Sequence, residues 1–324
     1  MPSSSGLFKK ADDRDKLHNG LEPAYLAPVH IIRPNRNIWQ RLADIWHHRE
    51  LLMFLIRKEV HLRYSNSVLG LAWSMLNPAL TLAIYWIVFE KVLRNGIPNF
   101  VVFLFAGILV WNLFSTSVLG ATGTLVANSG IVKKVAFPRE ILAIASVGAA
   151  SVLFFFQALV VAIGLIILNS GPAWGYLPLI PLAIVVLLVF STALGIFLSA
   201  VNVYFRDTQH LVEVMMLALF WAEPIVYPYK SVAAIFANHP SLFWLKWIYL
   251  ANPLAGVVLA FQRFLYAHVN AINTVTHQPM AILPTRTISS YAELLGIVLV
   301  VCIALLIGAI GVFAKLAGNL AEEL

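Results

Sequence analysis

The chain has 324 residues, of which 60% are hydrophobic and only 11% charged, with a formal charge of +7. Soluble domains carry roughly 25% charged residues, so this balance excludes an ordinary soluble fold and indicates an integral membrane protein. The single cysteine, Cys302, excludes an intrachain disulfide and a thiolate metal cluster.

Residues 1–37, with Pro2, Ser3, Ser4, Ser5 and Gly6 followed by further prolines and glycines, read as a mobile cytoplasmic tail. No signal peptide precedes the first apolar run, so Met1 is expected to stay in the cytoplasm. Asp13-Arg14-Asp15 has the carboxylate spacing with which glycosyltransferases hold a metal and a nucleotide sugar, but in such a tail chance explains it better.

Residues 38–64 predict an amphipathic interfacial helix. Ile38, Leu42, Ile45, Leu52, Ile56 and Val60 fall near one helical face, and Arg41, His48, Arg57, Lys58 and Arg63 populate the others. Its cations suit anionic membrane lipids. The alternative is a helix packed on a soluble partner.

Residues 65–324 predict a six-span, all-α membrane domain. Apolar runs near or above the ~18–20 residues needed for a crossing occur at 69–89, 101–121, 141–168, 177–203 and 291–313, and a shorter run at 211–229 supplies a sixth. They are continuously apolar and lack the alternation of a barrel strand. Between spans five and six, "FWLKWIYLANPLAGVVLAFQRFLY" (243–266) is long enough for a seventh crossing. However, Lys246, Arg263 and the helix-breaking Asn252-Pro253 favour two short re-entrant helices in the outer leaflet. With six spans and both ends inside, cytoplasmic segments hold sixteen of the 22 Lys and Arg, among them Lys133, Lys134, Arg139, Arg206 and Lys315.

Catalytic and metal constellations are missing. His47 and His48 are adjacent and cannot share a helical face, the other histidines are dispersed, and neither Gly-x-Ser-x-Gly nor His-Glu-x-x-His occurs. No G-x-x-x-x-G-K-[ST] loop is present, so ATP-driven transport requires a separate subunit to hydrolyse the nucleotide. No internal repeat is apparent, which argues against a self-contained secondary transporter. Glu223 is a carboxylate embedded in an expected span, with a structural or gating role and a substrate contact both open. Trp73, Tyr85, Trp86, Trp111, Phe220 and Tyr227 are candidate channel aromatics, because sugar C–H faces pack on rings; interface anchoring and packing are the plainer reading.

Five stretches in order, "RYSNSVLGLAWSMLNP" (63–78), "NSGIVKKVAFPREIL" (128–142), "NVYFRDTQHLVEV" (202–214), "PIVYP" (224–228) and "NPLAGVVLAFQRFLY" (252–266), resemble the permease subunit of ABC-2 transporters. The likeness is to those exporting lipid-linked polysaccharides such as O antigens, teichoic acids and galactans. It implies a homodimer in the bacterial inner membrane, paired with two copies of an ABC ATPase that carries the ATP and Mg, and no cofactor in this chain. The cargo would be a lipid-linked glycan, and no nucleic-acid partner is expected. The resemblance also implies that Leu69-Gly70 borders the substrate entrance and that the link after the second span docks on the ATPase. On that basis Lys133, Lys134, Phe137, Pro138, Arg139 and Glu140, with Arg206 and Asp207, are the expected coupling residues. Phe137 is expected to offer an apolar plug to the partner, and Pro138 to fix where the third span starts. Glu223 has no place in the family pattern. The alternatives are an ABC-2 permease for a drug or simple lipid and, from another class, a membrane-embedded glycosyl- or acyltransferase.

Overall fold

The computed structural model describes residues 38–64, 70–93, 97–238, 252–267, 270–272 and 277–317, together with Trp244, Tyr249 and Glu323. The expected tail (1–37), Leu69 and most of 243–251 lie outside the described residues.

Helices dominate. α1 (Ile38–His47) and α2 (Arg49–Tyr64) are followed by a 3-10 turn (Gly70–Ala72) and α3 (Trp73–Tyr85), which continues as a π-helical segment, Trp86–Val92. Next come α4 (Phe100–Ala127), the one-turn α5 (Ser129–Val132), α6 (Glu140–Ile167), α7 (Leu179–Tyr204) and α8 (Thr208–Ala222). Then come α9 (Tyr229–Asn238), α10 (Pro253–Leu265) and α11 (Ile288–Leu316). A small antiparallel hairpin, β1 (Asn270–Ile272) with β2 (Pro279–Ala281), is added to the expected all-α design and pairs Asn270 with Ala281.

Among the described residues, five helices are long and apolar enough to cross a membrane: α3 with its π segment, α4, α6, α7 and α11. The run expected to cross over 211–229 is shorter as a helix. α8 has 15 residues, about 22 Å at 1.5 Å per residue, against a hydrocarbon layer of about 30 Å. It stops at Ala222 because Glu223 precedes Pro224 and is driven to extended backbone (φ −88°, ψ 149°). α10 is shorter again, about 20 Å for 13 residues, and its Asn252-Pro253 start is a helix beginning: Asn252 Oδ1 accepts the Leu254 N–H at 3.1 Å, with Pro253 in the first turn.

The expected single helix over 38–64 is two, separated at His48, whose ring nitrogen lies 2.7 Å from the Asp44 carbonyl. α2 packs on α6. Gly148 permits this approach, since a Cβ there would sit 2.5 Å from Ile56 Cδ1.

α4 is the axis of the bundle and packs against α6, α7, α8 and α10. Its second half joins a core with Leu55, Phe137, Ile141, Val203 and Phe313 at one end, the basic end that carries α1 and α2. Its first half joins a larger core with α10 and α11 at the far end. At the α4–α7 crossing a Cβ on Gly195 would meet the Ala121 Cβ at 2.7 Å, so the two backbones approach as only glycine allows.

Candidate functional site

At the basic end, the 128–140 link is divided between inward and outward duties. Asn128 closes α4 by donating to the Thr124 carbonyl at 2.9 Å, and its Oδ1 accepts from Lys58 Nζ at 3.1 Å. Lys133 and Lys134 are exposed, as is Val135 (55%). Phe137 is not an outward plug: it is 4% exposed and belongs to the chain's own core with Leu125, Ile141 and Phe313. The cause is the turn ahead of α6, which folds the ring back onto an apolar cluster where burial contributes about 2–3 kcal/mol. The apolar atoms that do face outward here belong to Ile131 and Val135.

Arg139 and Glu140 also work within the chain. Arg139 Nη1 donates to the Ala317 carbonyl at 3.0 Å, and the Tyr204 hydroxyl donates to the Leu316 carbonyl at 2.9 Å. Together they satisfy carbonyls that the end of α11 leaves open. Glu140, the first residue of α6, is buried and ion-paired with Arg41 Nη1 at 2.6 Å. Pro138 lies two residues before α6 begins, where the sequence put the start of the third span.

Arg206 and Asp207 form an exposed turn between α7 and α8, next to Phe205 (69% exposed). The Asn202 side-chain carbonyl braces this turn by accepting the Gln209 N–H at 3.2 Å. The basic end therefore presents Lys133, Lys134, Val135, Phe205, Arg206 and Asp207 outward, a mixed charged and apolar surface of the kind suited to a transient protein contact.

Gly70, from the expected entrance, has φ +50° and opens the 3-10 turn before α3; its partner in that motif, Leu69, lies outside the described residues. The six candidate aromatics have different neighbours. Trp73 is 43% exposed and borders a cavity between α2, α3, α4 and α6. Tyr85 packs edge-on to Phe89 and Phe105, and Lys91 Nζ lies 5.0 Å from the centre of the Trp86 ring. Trp111 meets Phe220 at 5.4 Å across α4 and α8, and the Tyr227 hydroxyl donates to the Trp221 carbonyl at 2.8 Å.

Two groupings were not anticipated. The first is a set of carboxamides, Asn77, Asn112 and Gln157, that reach the cavity beside Trp73. They are polar residues inside apolar runs, and that was the available signal. The second is at the far end, where Glu223 is fully buried and its Oε1 accepts from Asn252 Nδ2, the same residue that caps α10. Gln262 of α10 donates to the Pro224 carbonyl at 2.7 Å. The break after α8 is thus pinned to α10 by two amides. Among the described residues, no group of three or more His, Cys, Asp or Glu is placed to hold a metal ion.

Comparison with known proteins covers most of these elements. Residues 50–266 match the family described as ABC-2 type transporter. An O-antigen export system permease protein RfbA of Myxococcus xanthus is 33% identical over 228 residues, 70% of this chain and 84% of that protein. An RfbA of Klebsiella pneumoniae is 30% identical over 66% of this chain and 79% of its own length. A polysialic acid transport protein KpsM of Escherichia coli is 24% identical over 63% and 76%.

Proposed function

The chain belongs to the ABC-2 type transporter family, and on that premise we propose that it is the membrane permease subunit of an ATP-driven exporter of a lipid-linked polysaccharide. The observation that carries this reading is the likeness to O-antigen export permeases over two thirds of the chain, beside a family match that includes the link, the 202–214 stretch and α10. The direction is from the cytoplasmic to the outer face of the bacterial inner membrane. The basic end is the cytoplasmic one, with both chain termini on that side.

The permease has no nucleotide-binding loop of its own, so ATP and Mg are bound by a separate ATPase subunit. Two permeases assemble with two ATPases. The partner grips the outward surface at Lys133, Lys134, Val135, Phe205, Arg206 and Asp207. Force then passes inward through Phe137, Arg139 and Glu140, which tie the link to α1 and α11. Pro138 keeps the link from extending α6. Glycan passes where the aromatics of α3, α4 and α8 face the second permease, and Leu69-Gly70 borders its entry.

The test is depletion of the permease in its host. Lipid-linked polymer is expected to accumulate on the inner face and to be cleared when the gene is restored. Depleted cells that accumulate no polymer, but lose export of a drug or simple lipid, would replace the glycan by that cargo. Turnover of a sugar or acyl donor by the purified chain alone would make it an enzyme instead.

A further inference from the structure

The cavity between α2, α3, α4 and α6 has a volume of about 350 Å³. Asn77 enters it from α3, Asn112 from α4 and Gln157 from α6, and Asn112 Nδ2 donates to Gln157 Oε1 at 3.3 Å. Among the described residues, the Asn112 carbonyl, the Gln157 amino group and the Asn77 side-chain amide have no further protein partner. Groups of this kind facing hydrocarbon are costly, so they require either water or a polar ligand. The space would hold roughly ten waters at about 30 Å³ each, and it falls in the size range of small-molecule sites.

The lining chemistry is graded along the cavity. Arg63 and Trp73 stand where α2 gives way to α3, the carboxamides lie in the middle, and Phe105, Leu109 and Val161 form an apolar wall. Among the described residues no carboxylate lies within ion-pair distance of Arg63, and Glu59, one turn earlier, acts on it only at longer range. A guanidinium so placed matches a phosphate. Carboxamides both donate and accept, as a ring of hydroxyls demands, and an indole offers a face to sugar C–H bonds. Outside the cavity, α3 exposes an aliphatic ridge of Leu76, Leu80 and Ile84.

We propose that this cavity binds the linkage region of a lipid-linked glycan: one sugar ring among Asn77, Asn112, Gln157 and Trp73, with the phosphate that joins sugar to lipid at Arg63. The lipid chain lies along the ridge of α3. This rests on the export reading above and adds to it a holding site reached from the side of the bundle.

The test uses the permease assembled with its ATPase in phosphatidylcholine nanodiscs, with Thr116, which lines the cavity, replaced by photoreactive benzoylphenylalanine. The probe is radiolabelled farnesyl diphospho-N-acetylglucosamine. Saturable labelling is expected, reduced at least tenfold by Arg63→Gln and by Gln157→Leu. It should be competed by unlabelled probe but not by N-acetylglucosamine 1-phosphate or phosphatidylglycerol at equal concentration. If Gln157→Leu fails to insert, Trp73→Leu at the rim is expected to give the same loss. Competition by the free sugar phosphate, or by the phospholipid, overturns the assignment to a lipid-linked sugar. Cross-linking to a second permease chain in place of the probe overturns the site altogether. Cells that export lipid-linked polymer while the cavity takes no label defeat the cavity alone, whereas cells that never export it defeat the reading beneath.

Discussion

α3 and α4 are both apolar helices expected to cross the membrane, yet they occupy opposite extremes of this bundle. Between Phe100 and Ala127 most residues of α4 are buried; between Met75 and Val92 none is. The less apolar of the two is the more exposed, as hydropathy in water would also give, but α6, α7 and α11 are more apolar than α4 and yet less buried. In a bilayer there is no hydrophobic force to sort spans by apolarity, so close approach of small residues decides what lies inside. α4 has Ala121 opposite Gly195, and Gly107 against Ile225, where a Cβ would be 3.0 Å from Cγ2. α3 instead carries Pro78, Asn77 and Thr81 and ends in a π segment. It borders a groove rather than filling a packed core.

The sharpest way to break the enclosed half of this contrast is at Arg41 and Glu140, which hold α1 to the start of α6. Arg41→Ala leaves a buried carboxylate without its partner, and a loss of about 3–5 kcal/mol is expected. The double variant Arg41→Met, Glu140→Met should recover most of it in thermal unfolding in detergent. A single variant as stable as wild type would mean that α1 contributes nothing to the fold.

Glycine separates the two helices more finely. Gly195→Ala places a methyl 2.7 Å from the Ala121 Cβ with no flexible atom to yield, and about 1–3 kcal/mol should be lost. Gly164→Ala puts its methyl 3.3 Å from Leu82 Cδ1 of α3, the mobile end of a side chain, where the gain in helix propensity offsets the crowding. Equal losses at the two positions would place α3 in the core after all.

Five long apolar helices, the helix start after Pro138 and the start of α10 at Asn252-Pro253 were legible because each is a local property of composition or backbone chemistry. Three features were not. Arg41 and Glu140 lie 99 residues apart, and neither announces a partner. Phe137 sits in an exposed-looking, charged link, and only the return of the chain beneath it buries the ring. Hydropathy carried Leu211 through Tyr229 as one run, whereas Pro224 had already determined the backbone of Glu223. Periodicity reports how apolar a segment is; what covers it depends on distant residues.

On the exposed side of the contrast, charge reversal at Lys133 and Lys134 together should leave thermal stability unchanged, because both side chains are solvated. Export should fall about tenfold, equivalent to roughly 1.4 kcal/mol of coupling, while the partner continues to hydrolyse ATP. Val135→Glu should act in the same direction. Phe137→Ala differs in kind: it should lower stability by about 3 kcal/mol as a core truncation before any effect on coupling is visible. Unchanged export by a fully inserted Lys133→Glu, Lys134→Glu protein would remove this surface from the coupling path.

The smallest effect expected lies at the seam between enclosed and exposed regions. Glu59 of α2 accepts a hydrogen bond from Ser146 Oγ of α6 at 3.1 Å. Burial pushes its carboxyl above the ordinary range, and the Ser146 bond, Arg63 and Lys58 offset this in part. A carboxyl whose folded pKa is raised keeps its proton longer in the folded state than in the unfolded state. Its contribution is therefore fully favourable below the unfolded value, about 4.3, and is lost as pH rises through the higher folded value. Glu59→Gln retains an acceptor for Ser146 and removes the charge. The variant should match wild type at the acid end of a melting series and exceed it slightly at neutral pH. A variant less stable than wild type at neutral pH would show that the charged carboxylate, drawn to Lys58 and Arg63, outweighs its desolvation and holds α2 onto α6 as an ion.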